Sequence, residues 1–387
     1  MDCGVDLSNG NDWERLGMLG DDWERSLMTL PAVCRPMEYL VTGATGLIGT
    51  NVVEQLVADG HDVRALTRDR DNATHLPDPV TVVEGDITDR ETLREPMAGV
   101  DGVFHAAAWF FVGPGPREVE RAERINVEGT RNVLELVDEL DVPKAVYTST
   151  IGTYPGRGHE LIDETVVPEC PTFSVYNRTK WEAHHEVAKP MVEDGLPLVI
   201  LMPGSVYGQG DKLEGSMREI FRDYLTGNMP LAPRDFAMPY DHAEDIARAH
   251  VLAMERGREG EEYIVGSEAT TALEVLDCAE RLTGIPAPRT LPGWVFGALE
   301  RPMRLVERVT TPPAGLEPEL LSFMAGREWR VDATKAREEL GVEFRDLEEG
   351  LAEYLAWELE QLGDAVTLGE DAALRERAIA PRPDDRR

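Results

Sequence analysis

The chain has 387 residues, 42% of them apolar, enough for one large core or two modest ones, and a formal charge of −34 at pH 7. So acidic a surface argues against nucleic acid and anionic membranes as partners, since both require basic patches. No apolar run approaches the roughly 18 residues of a membrane span, and Cys3, Cys34, Cys170 and Cys278 are scattered without metal-ligand spacing, so the expectation is a cytoplasmic protein with no metal and no span.

Five cations are lysines (Lys144, Lys180, Lys189, Lys212, Lys335) and the other 34 of the 39 are arginine. Dense carboxylates with lysine nearly absent suit molar salt, where charge repulsion is screened, so a halophilic archaeal source is expected. Residues 1–36 are polar, carry Asp12-Trp-Glu-Arg15 and Asp22-Trp-Glu-Arg25, and end in Pro31 and Pro36. They read as an extension that is disordered or not native, with Met37 as the start; the competing reading is a short helix docked through Trp13 and Trp23.

From Met37 the pattern alternates. Strands are expected at 38–42, 62–67, 80–84, 101–106, 144–149, 197–202 and 262–266, and helices at 47–59, 90–98, 118–140 and 175–194. That alternation implies an α/β fold, a parallel sheet with helices on both faces. After the first strand come Gly43, Gly46 and Gly49 in the spacing G-x-x-G-x-x-G, then Leu47, Ile48, Val52, Val53, Leu56 and Val57 at helical spacing. This is the opening of a dinucleotide-binding βαβ unit. Gly43 makes the tight turn, Gly46 lets backbone approach a pyrophosphate, and Gly49 lets the helix pack on the strand. The turn and helix N-terminus, Thr45, Leu47 and Ile48 included, offer N–H groups to the phosphates.

Arg68 ends the second strand, about 20 residues on, where an acidic residue would grip the ribose of NAD. An arginine there suits a 2′-phosphate, so NADP is favoured over NAD, although Asp69 keeps NAD open and Arg68 also reads as ordinary surface charge. The third strand ends at Asp86-Ile87 and the fourth at His105-Ala106-Ala107-Ala108. Small residues at such ends let a flat ring or pyrophosphate lie against backbone; His105 reads as structural.

The fifth strand delivers Thr148, Ser149 and Thr150 to the same edge, and Tyr176-Asn-Arg-Thr-Lys180 opens a helix with tyrosine and lysine one turn apart on one face. A free phenol has a pKa near 10, and a nearby ammonium is expected to lower it. Tyr176 would then exchange a proton with a carbonyl or alcohol oxygen while hydride moves to or from nicotinamide. Lys180 would also hold the nicotinamide ribose, and Thr150 would fix the angle of the substrate oxygen.

Gly43/Gly46/Gly49, Ser149-Thr150 and Tyr176-x-x-x-Lys180 together resemble the extended short-chain dehydrogenase/reductase family, also called the NAD-dependent epimerase/dehydratase family, over roughly 37–350. Ile125-Asn126-Val127-Glu-Gly129-Thr130, Pro203-Gly-Ser-Val-Tyr-Gly208, His242-Ala-Glu-Asp245-Ile-Ala and Val331-Asp332-Ala-Thr-Lys335 are further matches. The resemblance implies a Rossmann-type doubly wound sheet over 37–202 with strand 262–266 added. It makes Tyr176 the acid/base, Lys180 its partner and Thr150 the third member, where many relatives carry serine. It gives Asp86 and Ile87 an adenine-contacting turn, and Ala106, Ala107, Ser149 and Pro203 join the cofactor set. It also implies a homodimer through helices 118–140 and 175–194.

Nucleotide-sugar epimerases of this family usually carry an asparagine where Ser205 stands and an arginine where Met238 aligns. The turn Pro203-Gly-Ser205 instead resembles the dihydroflavonol-reductase and 3β-hydroxysteroid-dehydrogenase-like branch, including hopanoid-associated relatives. The loop Trp109-Phe110-Phe111-Val112 offers an apolar wall for a substrate, or equally a dimer or lid contact. Residues 203–360 read mainly as a substrate-capping lobe, with Trp294, Val295, Phe296, Leu299, Met303 and Leu305 on a helix over the pocket. His184-His185 read as surface residues, and 361–387 as a disordered tail. The expected activity is NAD(P)-dependent hydride transfer between nicotinamide and a secondary alcohol or ketone of a small, partly apolar substrate. Rival readings are a sugar or nucleotide-sugar epimerase/dehydratase using the cofactor transiently, and an idle NADP-binding sensor.

Overall fold

A computed structural model of the protein describes residues 36–110, 116–156, 161–211, 217–310, 312 and 315–377. The segment 1–35 lies outside the described residues, as do Phe111 and Val112 of the apolar loop and everything from 378 onward. Seven strands form one sheet: β1 (Glu38–Thr42), β2 (Asp62–Thr67), β3 (Thr81–Glu84), β4 (Gly102–His105), β5 (Ala145–Thr148), β6 (Leu198–Pro203) and β7 (Glu262–Val265). All pair in parallel in the order β7-β6-β5-β4-β1-β2-β3. β4, β5 and β6 are buried along their whole length, as continuous apolar runs covered on both faces must be. The order reverses between β1 and β4. Helices following those strands therefore leave toward opposite faces, and a crevice opens beyond the strand ends.

On one face lie α1 (Leu47–Ala58) and, from later in the chain, a helix that packs along it. On the other lie α2 (Arg90–Met97), α3 (Pro116–Ala122), α4 (Gly129–Glu139), α5 (Val175–Glu182) and α6 (Lys189–Glu193). π turns at Glu123–Glu128 and Ala183–Ala188 join α3 to α4 and α5 to α6, so each long helix expected from the sequence carries one wide turn. Leu93, Met97, Val133, Val137 and Val187 bury against Leu40, Val103, Tyr147 and Leu198. Each such side chain contributes about 1.5–3 kcal/mol by leaving water.

The rest of the chain contains α7 (Met217–Leu225), α8 (Ala243–Arg256), α9 (Ala272–Thr283), α10 (Gly293–Glu307), α11 (Pro318–Phe323), α12 (Thr334–Leu340), α13 (Leu347–Leu362) and α14 (Ala373–Arg377). Two of these belong to the sheet rather than to a lobe: α8 packs along α1 and over β5 and β6, and α12 packs on α8 and β7. The remainder surrounds a second core of Phe173, Tyr207, Phe221, Phe236, Leu276, Trp329 and Tyr354. Fully buried Glu358 of α13 takes Arg218 Nε at 2.9 Å and Arg222 Nε at 3.0 Å, tying α7 into this core.

Two expectations are corrected here. Residues 361–377 of the segment expected to be a disordered tail instead complete α13 and add α14, with Ala372 and Leu374 buried. Their anchor is Gly369, whose N–H donates to Thr283 O at 2.9 Å and where any Cβ would clash, standing 2.3 Å from Gly284 O. The helix expected at 294–305 exists as α10, but Trp294 is 70% exposed, Leu305 is 64% exposed, and neither reaches the cavity described next.

Candidate active site

A cavity of about 680 Å³ lies at the carboxyl edge of the sheet and runs on into the second core. The glycine turn forms one end. Gly43 takes a φ of +69°, and a Cβ there would stand 2.6 Å from Ala107 N; a Cβ on Gly49 would stand 2.1 Å from Gly43 O. The chain's own packing therefore demands both glycines. Gly46 differs: among the described residues a Cβ would meet only Gly43 O, at 3.3 Å. Its bareness serves the cavity side, where a phosphate would approach. The N-terminus of α1 has no side-chain cap and no acidic residue in its first turn, and Thr45, Gly46, Leu47 and Ile48 line the cavity. Such a terminus offers N–H groups and the positive end of the helix dipole to an anion, so the residues present fit a dinucleotide.

Along the edge follow exposed Arg68 after β2, Asp86 and Ile87 after β3, and Ala106 and Ala107 after β4. Asp69 turns to its own chain, its Oδ1 accepting from Asp71 N at 3.0 Å, and does not line the cavity. Asp86 likewise accepts from Thr88 N and Thr88 Oγ1, both at 2.9 Å, which shapes the turn.

Beyond β5, Thr150 Oγ1 accepts from Gly152 N at 3.0 Å and donates to Pro203 O at 3.4 Å. Ser174 caps α5, placing Tyr176 in its first turn and Lys180 one turn later. Tyr176 is half-buried on the cavity wall, and its ring meets the edge of Phe110 with centroids 4.9 Å apart. Lys180 is buried. Its Nζ donates to Thr148 O at 2.7 Å and to Tyr147 Oη at 3.0 Å.

Burial pushes the Tyr176 phenol up to about 12 and pulls the Lys180 ammonium down to about 7. This reverses the expectation that the cation lowers the phenol. The ammonium is engaged by Tyr147 and a strand carbonyl, so desolvation decides both groups. His105 is pushed down to about 3, by burial first and then by Lys180, and bonds Thr42 and Thr130 through its two nitrogens. It is a neutral structural residue.

Past Tyr176 the wall becomes apolar: Phe221, Leu231, Phe236, Met238, Leu276, Phe323 and Trp329. Among the described lining residues Arg68 and Lys180 are the only basic ones, and both stand at the sheet edge. The Trp109 end of the wall is clamped by Asn126, which accepts from Trp109 N at 2.6 Å and donates to Trp109 O at 3.0 Å.

A model of the NAD dependent epimerase/dehydratase family matches residues 39–266. The chain belongs to this family. It is 31% identical over 330 residues to a Synechocystis protein named "Putative dihydroflavonol 4-reductase", covering 82% of this chain and 94% of that one. It is 30% identical over 331 residues to sterol demethylase protein B of Methylococcus capsulatus, covering 83% and 98%. Among solved structures, the UDP-glucose 4-epimerase of Thermotoga maritima with UDP-glucose superposes with a TM-score of 0.68 at 26% identity, over 84% of this chain and 100% of that one.

In this epimerase/dehydratase chain, the residues singled out from the sequence for catalysis or cofactor contact line this cavity, from Gly43 through Ser149 to Pro203, with Asp69 the exception. The motif residues His242 and Asp245 do not: His242 caps α8, and Asp245 is held by Arg345. Asn72 and Asn177 also line the cavity and were not singled out. Asn177 Nδ2 donates to Gly152 O at 2.8 Å and so steadies the turn after Thr150; its place beside Tyr176 was the available signal. His184 is the clear correction. Expected at the surface, it is fully buried and bonded to Ser149. Its spacing of four from Lys180, which in turn is four from Tyr176, was the sign of a shared inward face.

Proposed function

We propose that this protein is an NADP-preferring oxidoreductase that moves hydride between the cofactor and a secondary alcohol or ketone on a small, partly apolar molecule. The apolar arm of the cavity carries this reading. Its walls suit a neutral hydrophobic body, and no basic side chain among the described residues of that arm stands ready to neutralise a diphosphate. The names of the sterol and dihydroflavonol relatives agree with such a substrate. Arg68, with Asp69 turned away from the cavity, favours a 2′-phosphate.

The bound cofactor supplies or accepts hydride at nicotinamide; this chain's residues handle the oxygen and its proton. Tyr176, kept protonated by burial, donates to a carbonyl oxygen as it becomes an alcohol and accepts in the reverse direction. Thr150 sets the angle of that oxygen, and Lys180, titrating near neutrality, restores the phenol and supports the ribose. A homodimer through α3–α6 and a cytoplasmic location belong to the same reading.

The likeness to a UDP-glucose 4-epimerase favours a second reading, transient oxidation of a sugar nucleotide. Net cofactor turnover separates the two. In high salt, screened ketones and nucleotide sugars are offered with NADPH or NAD, and products are measured against cofactor consumed. One NADPH oxidised per alcohol formed from an apolar ketone is expected. Conversion of a nucleotide sugar without net cofactor change would overturn the proposal.

A further inference from the structure

Ser149 is buried on the cavity wall between Thr148 and Thr150, and its N–H still donates across the sheet to Leu201 O at 2.7 Å. Behind it runs a line of polar groups. Ser149 Oγ lies 2.8 Å from Nδ1 of His184, and Nε2 of His184, which makes no well-aligned hydrogen bond, lies 3.2 Å from Oε2 of Glu262, the first residue of β7. Glu262 also pairs with Lys189, a partly exposed residue opening α6. His184 sits in the π turn Ala183–Ala188, a form of wide turn that recurs at functional sites. His185 stacks flat upon it, centroids 4.4 Å apart and planes within 2°, which fixes the plane of the ring.

These contacts determine where the protons lie. Burial works to raise the Glu262 carboxyl, but the His184 ring beside it and the Lys189 ammonium paired with it hold it below the usual carboxylate range, so it is ionised. With that carboxylate 3.2 Å away, a proton on Nε2 is favoured over a lone pair, which would meet negative charge. Burial, the largest influence on His184, keeps the ring neutral, so Nδ1 carries a lone pair and must accept. The Ser149 hydroxyl is its donor. With its proton committed to His184, Ser149 Oγ has only lone pairs left to offer on its other side.

We propose that His184 and Glu262 are positioning residues that lock Ser149 as a hydrogen-bond acceptor at the sheet edge, for the carboxamide N–H of a bound nicotinamide. Ser149 belongs to the sheet edge that carries the glycine cradle, not to the apolar arm, which is why the cofactor rather than the substrate is its partner. The inference rests on the dinucleotide part of the proposed function.

Two substitutions of the same ring separate positioning from mere packing. His184→Asn places an amide oxygen near the Nδ1 position and can still accept from Ser149; His184→Gln reaches toward the Nε2 position and leaves Ser149 without its acceptor. Binding to the full-length protein is measured by calorimetric titration with NADP and with its 3-acetylpyridine analogue, which has no carboxamide N–H. Melting temperatures are recorded in parallel. Wild type is expected to prefer NADP by about tenfold, the worth of one hydrogen bond. Ser149→Ala and His184→Gln should abolish that preference, the double variant should lose nothing more, and His184→Asn should retain it. If Ser149→Ala keeps the wild-type preference, or His184→Asn loses it as fully as His184→Gln in step with melting temperature, the positioning role is overturned. If wild type binds neither dinucleotide, the oxidoreductase reading falls and takes this inference with it.

Discussion

Lys180→Met should make the protein more stable at mildly acidic pH while removing its turnover. Lys180 is buried, and burial lowers its pKa from 10.5 to about 7. Keeping that ammonium charged inside the fold therefore costs about 5 kcal/mol below pH 7. Replacing the side chain also forfeits the hydrogen bonds that even a neutral amine makes to Thr148 O and Tyr147 Oη, about 3 kcal/mol for the pair. Methionine fills a similar volume without the charge, so the variant should gain about 2 kcal/mol near pH 6. The pH dependence has a definite sign. Between about 7 and 10.5 the unfolded chain binds more protons at this position than the folded one, so native stability rises with pH there. Wild type should recover about 1.4 kcal/mol per pH unit relative to the variant. By about pH 9.5 it should be the more stable of the two, by about 1 kcal/mol. Urea unfolding of both proteins at constant high salt, at about pH 6 and about pH 9.5, measures the difference while cancelling the titration of every other group. A variant less stable than wild type by the same amount at both pH values would refute the claim that desolvation dominates this lysine.

Tyr176→Phe should lower turnover by about 10² to 10⁴-fold while leaving NADP affinity within about twofold in a direct titration, because the phenol oxygen has no protein partner among the described residues; lost binding with retained turnover would contradict its role. Arg68→Glu should reverse cofactor preference by about tenfold to a hundredfold in the ratio of kcat/KM for NADP and NAD, and an unchanged ratio would make Arg68 ordinary surface charge. Gly46→Ala should leave the melting temperature nearly unchanged and weaken dinucleotide binding at least about tenfold. Gly49→Ala, whose Cβ would stand 2.1 Å from Gly43 O, should unfold or severely destabilise the protein. With a formal charge of −34, the melting temperature should climb steeply as KCl is raised from about 0.1 to about 2 M; a flat response would remove the argument for a salt-rich cytoplasm.

The sheet and the list of residues around the cavity were legible because both are set by short-range rules. A turn at φ +69° asks for glycine at position 43. Apolar runs of four to six residues between such turns become strands wherever helices cover both faces, and parallel connection then brings every strand end, from Gly43 to Pro203, to one edge. Other features depended on partners distant in the chain. α8 joins the sheet because it packs along α1, almost 200 residues earlier by sequence, and nothing local in 243–256 says so. The order of 363–377 hangs on Gly369 meeting Gly284, a contact between two backbones that leaves no pattern in either segment.

Tyr176 and Lys180 show where the boundary falls. Their four-residue spacing correctly put both on the cavity wall, since helical register is a local property. The Tyr176 phenol shifted in the opposite direction to that expected, because dielectric environment is not. Lys180 finds its oxygen partners on β5, 33 residues back at Tyr147, and is desolvated between α5 and that strand, while Tyr176 is partly withdrawn from water on the cavity wall. Once the ammonium is satisfied there, no cation among the described residues stabilises a phenolate, and the phenol stays protonated well above neutral pH. On the proposed reading, a phenol held protonated is suited to giving its proton to a carbonyl oxygen, so the reducing direction is the one in which Tyr176 should work best near neutral pH.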